Sequence, residues 1–257
     1  MKITVVGIGR MGGWLARELA KKHTVAVYDI DPDKMATVPN TLALDSLEAL
    51  SAFDPELLIN AVTLQHTATV FAQLTPYVSS ECVVADIASI KGDIAAWYAR
   101  SGHRFASIHP MFGPTAANGG GLQGHNAILI KESDPSALQF FRGVFQHLGV
   151  QCFEYTFDEH DRMMAYSLTT PFAATLVFAA CMENNTVPGT TFAKHRGIAH
   201  SLLTEDDHLL AEILFNTYSM AQLEKITARL EFLKHVIHGR DFEEMQRFLA
   251  HLRENVG

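Results

Sequence analysis

The run Gly7-Ile8-Gly9-Arg10-Met11-Gly12 constrains the fold of this 257-residue chain more than any other feature. It follows a β-branched stretch, Ile3–Val6, and opens a helical pattern over Met11–Lys22. In a G-x-G-x-x-G turn between strand and helix, the first glycine permits the tight turn. The second lets the backbone approach a pyrophosphate, and the third lets helix and strand pack closely. Free N–H groups at the helix start then face the anion. The bland alternative is a glycine-rich turn that holds no ligand, and the strand on one side and helix on the other argue against it. Asp29 ends the next strand pattern, Val25-Ala26-Val27-Tyr28-Asp29, at the distance where a carboxylate accepts the adenosine ribose hydroxyls and repels a 2′-phosphate. No arginine follows immediately, so NAD is expected over NADP. A plain surface aspartate at a strand end is the competing reading. Val62 and Thr63, just after the stretch Leu57–Ala61, complete the candidate cofactor-binding set.

Short β-branched runs alternate with helical patterns through the first half, the mark of parallel β-α units. Strands are expected at Ile3–Val6, Thr24–Tyr28, Leu57–Ala61, Cys82–Asp86, Phe105–Ile108, Ala127–Lys131 and Val150–Tyr155. Helices are expected at Met11–Lys22, Ser46–Ala52, Ala68–Thr75, Lys91–Ser101 and from Pro135 to Leu148. After Asp158 the apolar spacing becomes helical. Asp158 reads as the cap of a long helix that Pro171 should kink, and a later helix from Asp206 to His238 should stop at Gly239. The fold class is therefore α/β: a Rossmann-type doubly wound parallel sheet over 1–155, then an all-helical dimerisation domain over 156–257.

A formal charge of −8 argues against a nucleic-acid surface. Three cysteines without C-x-x-C spacing, and a start with no signal-peptide pattern, lead us to expect a reducing, cytoplasmic setting. Thirteen histidines include no H-E-x-x-H or H-x-H cluster, so no metal is expected. Met163–Met182 carries no charge, yet Tyr166, Ser167, Thr169, Thr170, Pro171 and Thr175 interrupt it. It is read as a helix buried on most sides, in a core or a homodimer interface, and not as a membrane span.

Two segments fall at the carboxyl edge of such a sheet, where a hydride acceptor and its substrate meet. One is Asp86-Ile87-Ala88-Ser89-Ile90-Lys91; the other is His109-Pro110-Met111-Phe112-Gly113-Pro114. Their pairing resembles the prephenate and arogenate dehydrogenases of tyrosine biosynthesis. Leu122-Gln123-Gly124, Glu159-His160-Asp161-Arg162 and the helical second half extend the likeness over most of the chain. The resemblance implies an NAD-dependent oxidative decarboxylation of a cyclohexadienol, giving 4-hydroxyphenylpyruvate from prephenate or tyrosine from arogenate, in an intimate homodimer. It implies that His109 hydrogen-bonds the substrate hydroxyl, that Ser89 orients this imidazole, and that Ser89, Lys91 and His109 meet the substrate.

Each has a duller reading. His109 could be a satisfied turn residue, Ser89 a cap for a helix beginning near Ile90, Lys91 a solvated first-turn lysine, and His160 a structural helix-terminal group. The family's S-H-L-P-H stretch reads Leu168-Thr169-Thr170-Pro171-Phe172 here, and its carboxylate-clamping arginine is missing from His200–Asp206. Lys194 and Arg196 stand upstream; Arg196 is the better clamp because its planar fork holds a carboxylate in two hydrogen bonds. A β-hydroxyacid dehydrogenase would carry a lysine on the long interdomain helix, and Asp158–Met182 has none. An NAD-binding regulator with a decayed site is the non-enzyme alternative, opposed by the intact Ser89 and His109.

Overall fold

The computed structural model describes residues 1–113, 121–183 and 187–257. Pro114, the last residue of the histidine motif, lies outside them. Eight strands form one sheet: β1 (Lys2–Val6), β2 (Thr24–Tyr28), β3 (Leu42–Ala43), β4 (Leu57–Asn60), β5 (Val83–Asp86), β6 (Phe105–Pro110), β7 (Asn126–Ile130) and β8 (Gln151–Tyr155). Their order is β3-β2-β1-β4-β5-β6-β7-β8, so the direction of winding reverses between β1 and β4. That reversal is the point at which open α/β sheets bind ligands.

Alternate residues of the central strands point to opposite faces, and helices cover both. Ile3, Val5, Val25 and Ile59 pack with Trp14, Leu15, Leu19, Phe141 and Phe145. Val6, Ala26, Leu58 and Val84 pack with Leu50, Phe71, Leu74 and Tyr98 on the other side. In-register pairing aligns Val6 with Tyr28 and Asn60, Asn60 with Asp86, and Asp86 with Ser107. The strand ends therefore bring Gly7, Asp29, Val62, the loop after Asp86 and His109 to one edge.

Several local expectations need correction. The sheet is mostly parallel, but β6 and β7 run antiparallel, with His109 opposite Ile128; such a pair needs no helical crossover. The two-residue β3 is too short to show a period in sequence. The helix expected from Lys91 starts at Ile94. The N–H groups of Lys91 and Gly92 are already bonded to Asp161, and Gly92 sits at φ 40°, outside the helical region. Ser89 consequently lies in a turn and caps nothing.

Asp158 is not the cap of the next helix, Phe157–Met164. Thr156 is: its hydroxyl accepts the Glu159 N–H at 3.1 Å, and the Glu159 carboxylate accepts the Thr156 N–H at 2.8 Å. This reciprocal pair is a capping box. Asp158 binds Arg162 one turn on, at 2.7 Å. The disturbance expected at Pro171 takes the form of a π-helical turn over Ala165–Thr169, after which Thr170–Ala180 resumes the α geometry.

The later helix is two, Asp207–Leu214 and Ser219–Gly239, separated where the Asn216 side chain accepts the Tyr218 N–H. The left-handed residue ending the second is Arg240, at φ 50°, not Gly239. The chain divides into two compact units, Met1–Met163 with Asp207–Ile213, and Met164–Asp206 with Leu214–Gly257. The first extends past the expected boundary at 155 because the helix after it is bonded to the sheet edge through Asp161. Within the second, the buried Thr169 and Ser219 hydroxyls hydrogen-bond at 2.7 Å.

Candidate active site

Gly7 turns the chain with φ 86°, and a Cβ there would stand 2.8 Å from Ala61 and Val62. A Cβ on Gly12 would meet the Gly7 carbonyl at 2.0 Å, so strand and helix touch through backbone. At Gly9, by contrast, a Cβ would meet nothing within 4 Å. This open approach, at the N-cap of the helix Arg10–Ala20, is what a pyrophosphate requires. A cavity of 540 Å³ opens beside it, lined by Gly7, Gly9, Asp29, Val62, Thr63 and Val70 among others. The residues fit a dinucleotide. Ile8, Met11 and Val62 of the set also pack with the hydrophobic core, Ile8 buried within it.

The Asp29 carboxylate accepts the Ile8 N–H at 2.6 Å and the Asp31 N–H at 2.9 Å, which fixes its position at the loop. A carboxylate has about four lone-pair sites, so acceptor capacity remains for ribose hydroxyls. The sequence did not reveal the adjoining groove, where Ile8, Gly9, Arg10, Arg17, Lys34 and Thr37 line 370 Å³. Its cations come from two different helices, which linear spacing cannot show. Lys34 Nζ stands 3.8 Å from Asp29.

At the end of β5, Asp86 and Lys91 are both fully buried and paired at 2.7 Å. Lys91 also donates to the Ile108 carbonyl at 2.8 Å, and the Tyr98 hydroxyl donates to Asp86 at 2.8 Å. Burial pulls the Lys91 pKa down although Asp86 opposes it, and burial with the Asp86 charge raises Tyr98 well above its ordinary value. Lys91 is thus neither solvated nor presented to an open cleft. It holds the loop that carries the half-buried Ser89 to the end of β6.

His109, at that strand end, is 6% exposed. Its Nδ1 lies 3.0 Å from Nε2 of the fully buried His160, whose Nδ1 lies 2.8 Å from Asp161 Oδ1. Among the described residues, His160 is the hydrogen-bond partner of the His109 ring, and Ser89 stands on the loop beside that strand end. Burial, then His160 and Lys91, push the His109 pKa well below its ordinary value; burial also lowers His160 against the pull of Asp161. Burial alone would raise the Asp161 carboxyl, but bonds from His160, Lys91 and Gly92 hold it below the usual carboxylate range. Lys194 and Arg196 are exposed on the helix Thr190–Leu202 of the second unit.

Comparison with known proteins decides the family. The prephenate dehydrogenase nucleotide-binding domain matches residues 15–154, more than half of the chain. The chain belongs to the prephenate/arogenate dehydrogenase family. A Methanocaldococcus jannaschii relative, "Probable arogenate/prephenate dehydrogenase", is 27% identical over 176 residues, 64% of this chain. The chain spans 38% of that relative's length. Aquifex aeolicus prephenate dehydrogenase, solved with hydroxyphenyl propionate and NAD+, superposes with a TM-score of 0.84 at 20% identity, covering 99% of this chain and 96% of its own. Synechocystis arogenate dehydrogenase superposes with 0.80 at 21% identity, covering 99% and 98%. These likenesses show the fold: a mostly parallel eight-stranded α/β sheet followed by a helical region. This member of the prephenate/arogenate dehydrogenase family carries the nucleotide-binding domain in its first unit, with His109 and Ser89 at the same sheet edge as its glycine loop.

Proposed function

We propose that the chain is an NAD-dependent prephenate dehydrogenase, converting prephenate to 4-hydroxyphenylpyruvate and CO2 by oxidative decarboxylation. The observation that carries this reading is the buried His109 imidazole at the carboxyl edge of the sheet that holds the dinucleotide loop. Bound in the cleft, NAD supplies the hydride acceptor. His109 accepts the hydrogen bond of the substrate's 4-hydroxyl as the C4–O bond gains double-bond character and the C4 hydrogen leaves with its electron pair. The C1–carboxylate bond then breaks, its electrons complete the aromatic ring, and the proton shared with His109 ends on the phenolic oxygen. Aromatisation supplies most of the driving force, so the residues orient and manage charge.

A neutral imidazole suits this role, and burial keeps His109 neutral. Arg196 is our candidate for a substrate carboxylate, with Lys194 the alternative; Lys91 supports the site from beneath. NADH formation with prephenate and with arogenate, each with NAD and NADP, tests the reading. Turnover with prephenate and NAD is expected, and His109→Asn should lower kcat roughly 10²–10⁴-fold while leaving NAD affinity nearly unchanged. Exclusive turnover of arogenate would replace the substrate. Near-normal turnover in His109→Asn would remove His109 from the chemistry.

A further inference from the structure

We propose that His160 and Asp161 are positioning residues which fix the His109 proton on Nδ1, leaving the Nε2 lone pair for the reacting hydroxyl. This inference rests on the reading of His109 as the group that meets that hydroxyl. The argument begins at Asp161. As a carboxylate it can only accept hydrogen bonds, and it receives the Lys91 N–H at 2.9 Å and the Gly92 N–H at 2.8 Å. His160 Nδ1, at 2.8 Å from Asp161 Oδ1, must therefore carry a proton. In a neutral ring that leaves Nε2 with its lone pair, and this atom faces His109 Nδ1 at 3.0 Å. His109 Nδ1 is then the donor, and its Nε2 is unprotonated.

The opposite polarity needs a His160 imidazolium with no exposed surface. Among the described residues, the charged groups around the pair are Lys91 and Asp86 from the β5 loop and Asp161 from the helix. Lys91 opposes a second buried cation, and Asp86 is already bonded to Lys91 and Tyr98. When His109 takes up positive character during turnover, its Nδ1–H faces a lone pair backed by Asp161, so the charge is not left unpartnered. The same two Asp161 bonds tie the Phe157–Met164 helix to the Lys91–Gly92 turn, so orientation of the imidazole and placement of the Ser89 loop are set by one side chain.

Imidazole 15N spectra of the histidine-labelled protein, with the His109 signals assigned by their loss in His109→Asn, should show its proton on Nδ1 at neutral pH. His160→Leu keeps an apolar filling but removes the acceptor. It should scramble the His109 tautomers and lower kcat roughly 10²-fold, the size of a lost proton-positioning contact, with KM for prephenate and NAD affinity within about twofold. His160→Gln offers an amide oxygen to Nδ1 and should recover most of that turnover. A wild-type His109 protonated on Nε2, or equal activity of the Leu and Gln variants, overturns the proposal. The tautomer needs no substrate: an Nδ1 proton in a protein inactive on both dienols would sink the functional reading alone. Should His160→Leu fail to fold, the wild-type spectrum and His160→Gln still decide.

Discussion

Asp29 illustrates how one carboxylate sets cofactor choice against its surroundings. Arg10, Arg17 and Lys34 line the adjoining groove, and the Asp29 charge, anchored by the Ile8 and Asp31 N–H groups, opposes a 2′-phosphate there. Asp29→Ala should therefore raise kcat/KM for NADP relative to NAD by about tenfold or more, the equivalent of one ~1.5 kcal/mol charged hydrogen bond. Wild-type preference for NADP would show that the cations already prevail. The histidine pair makes a second prediction. His109 must be neutral to accept the hydroxyl's proton, and burial lowers its pKa and that of His160. The acid limb of kcat/KM should lie below the ordinary histidine value of ~6.5 and belong to the coupled pair. A limb at or above that value would contradict it. In sequence, His109 was legible because a motif surrounds it. His160 was visible as part of the Glu159–Arg162 run and as a helix-terminal histidine, but its pairing with His109 was not, because that contact spans 51 positions.

Among the elements, the strands β1, β2 and β4 to β7 were legible because buried strands with helices on both faces read as continuous apolar runs; the edge strand β8 was also expected, although it is mostly exposed. Helix starts were not, since side-chain bonds from distant residues decide them: Asp161 delays the helix at Ile94, and Thr156 with Glu159 begins the one at Phe157. Thr156→Ala should remove half of that capping box and lower stability by about 1 kcal/mol. Because the same helix carries His160 and Asp161, kcat should fall more than NAD affinity; an unchanged denaturation midpoint would rule the cap out as a stabilising element. For the helix Thr190–Leu202, Arg196→Ala should raise KM for prephenate tenfold or more, matching a ~1.5–3 kcal/mol charged hydrogen bond, with NAD affinity unaltered. If Lys194→Ala raises KM and Arg196→Ala does not, the clamp is the lysine.

At the scale of the whole molecule, the second unit exposes a set of large apolar side chains. Phe215, Phe242, Tyr166, Met220, Ile237 and Ile198 are all more than half exposed. The helical run Phe157–Ala180, whose composition demands a covered setting, is only 22% buried in its most apolar window. A monomer seldom leaves large contiguous apolar patches in water, and a stable pair of protomers buries about 1,600 Å² in total. A second copy of the chain supplies such cover with the fewest assumptions, because a two-fold interface lets one patch meet itself. The chain should sediment as a homodimer of 28.4 kDa protomers at micromolar concentration. Phe215→Asp and Met220→Glu should each shift it toward monomer, because an unpaired carboxylate in a dry interface costs several kcal/mol. Detergent-dependent solubility would instead point to a lipid surface as the cover. A detergent-free, stable monomer would show that these faces are closed by rearrangement of the chain itself.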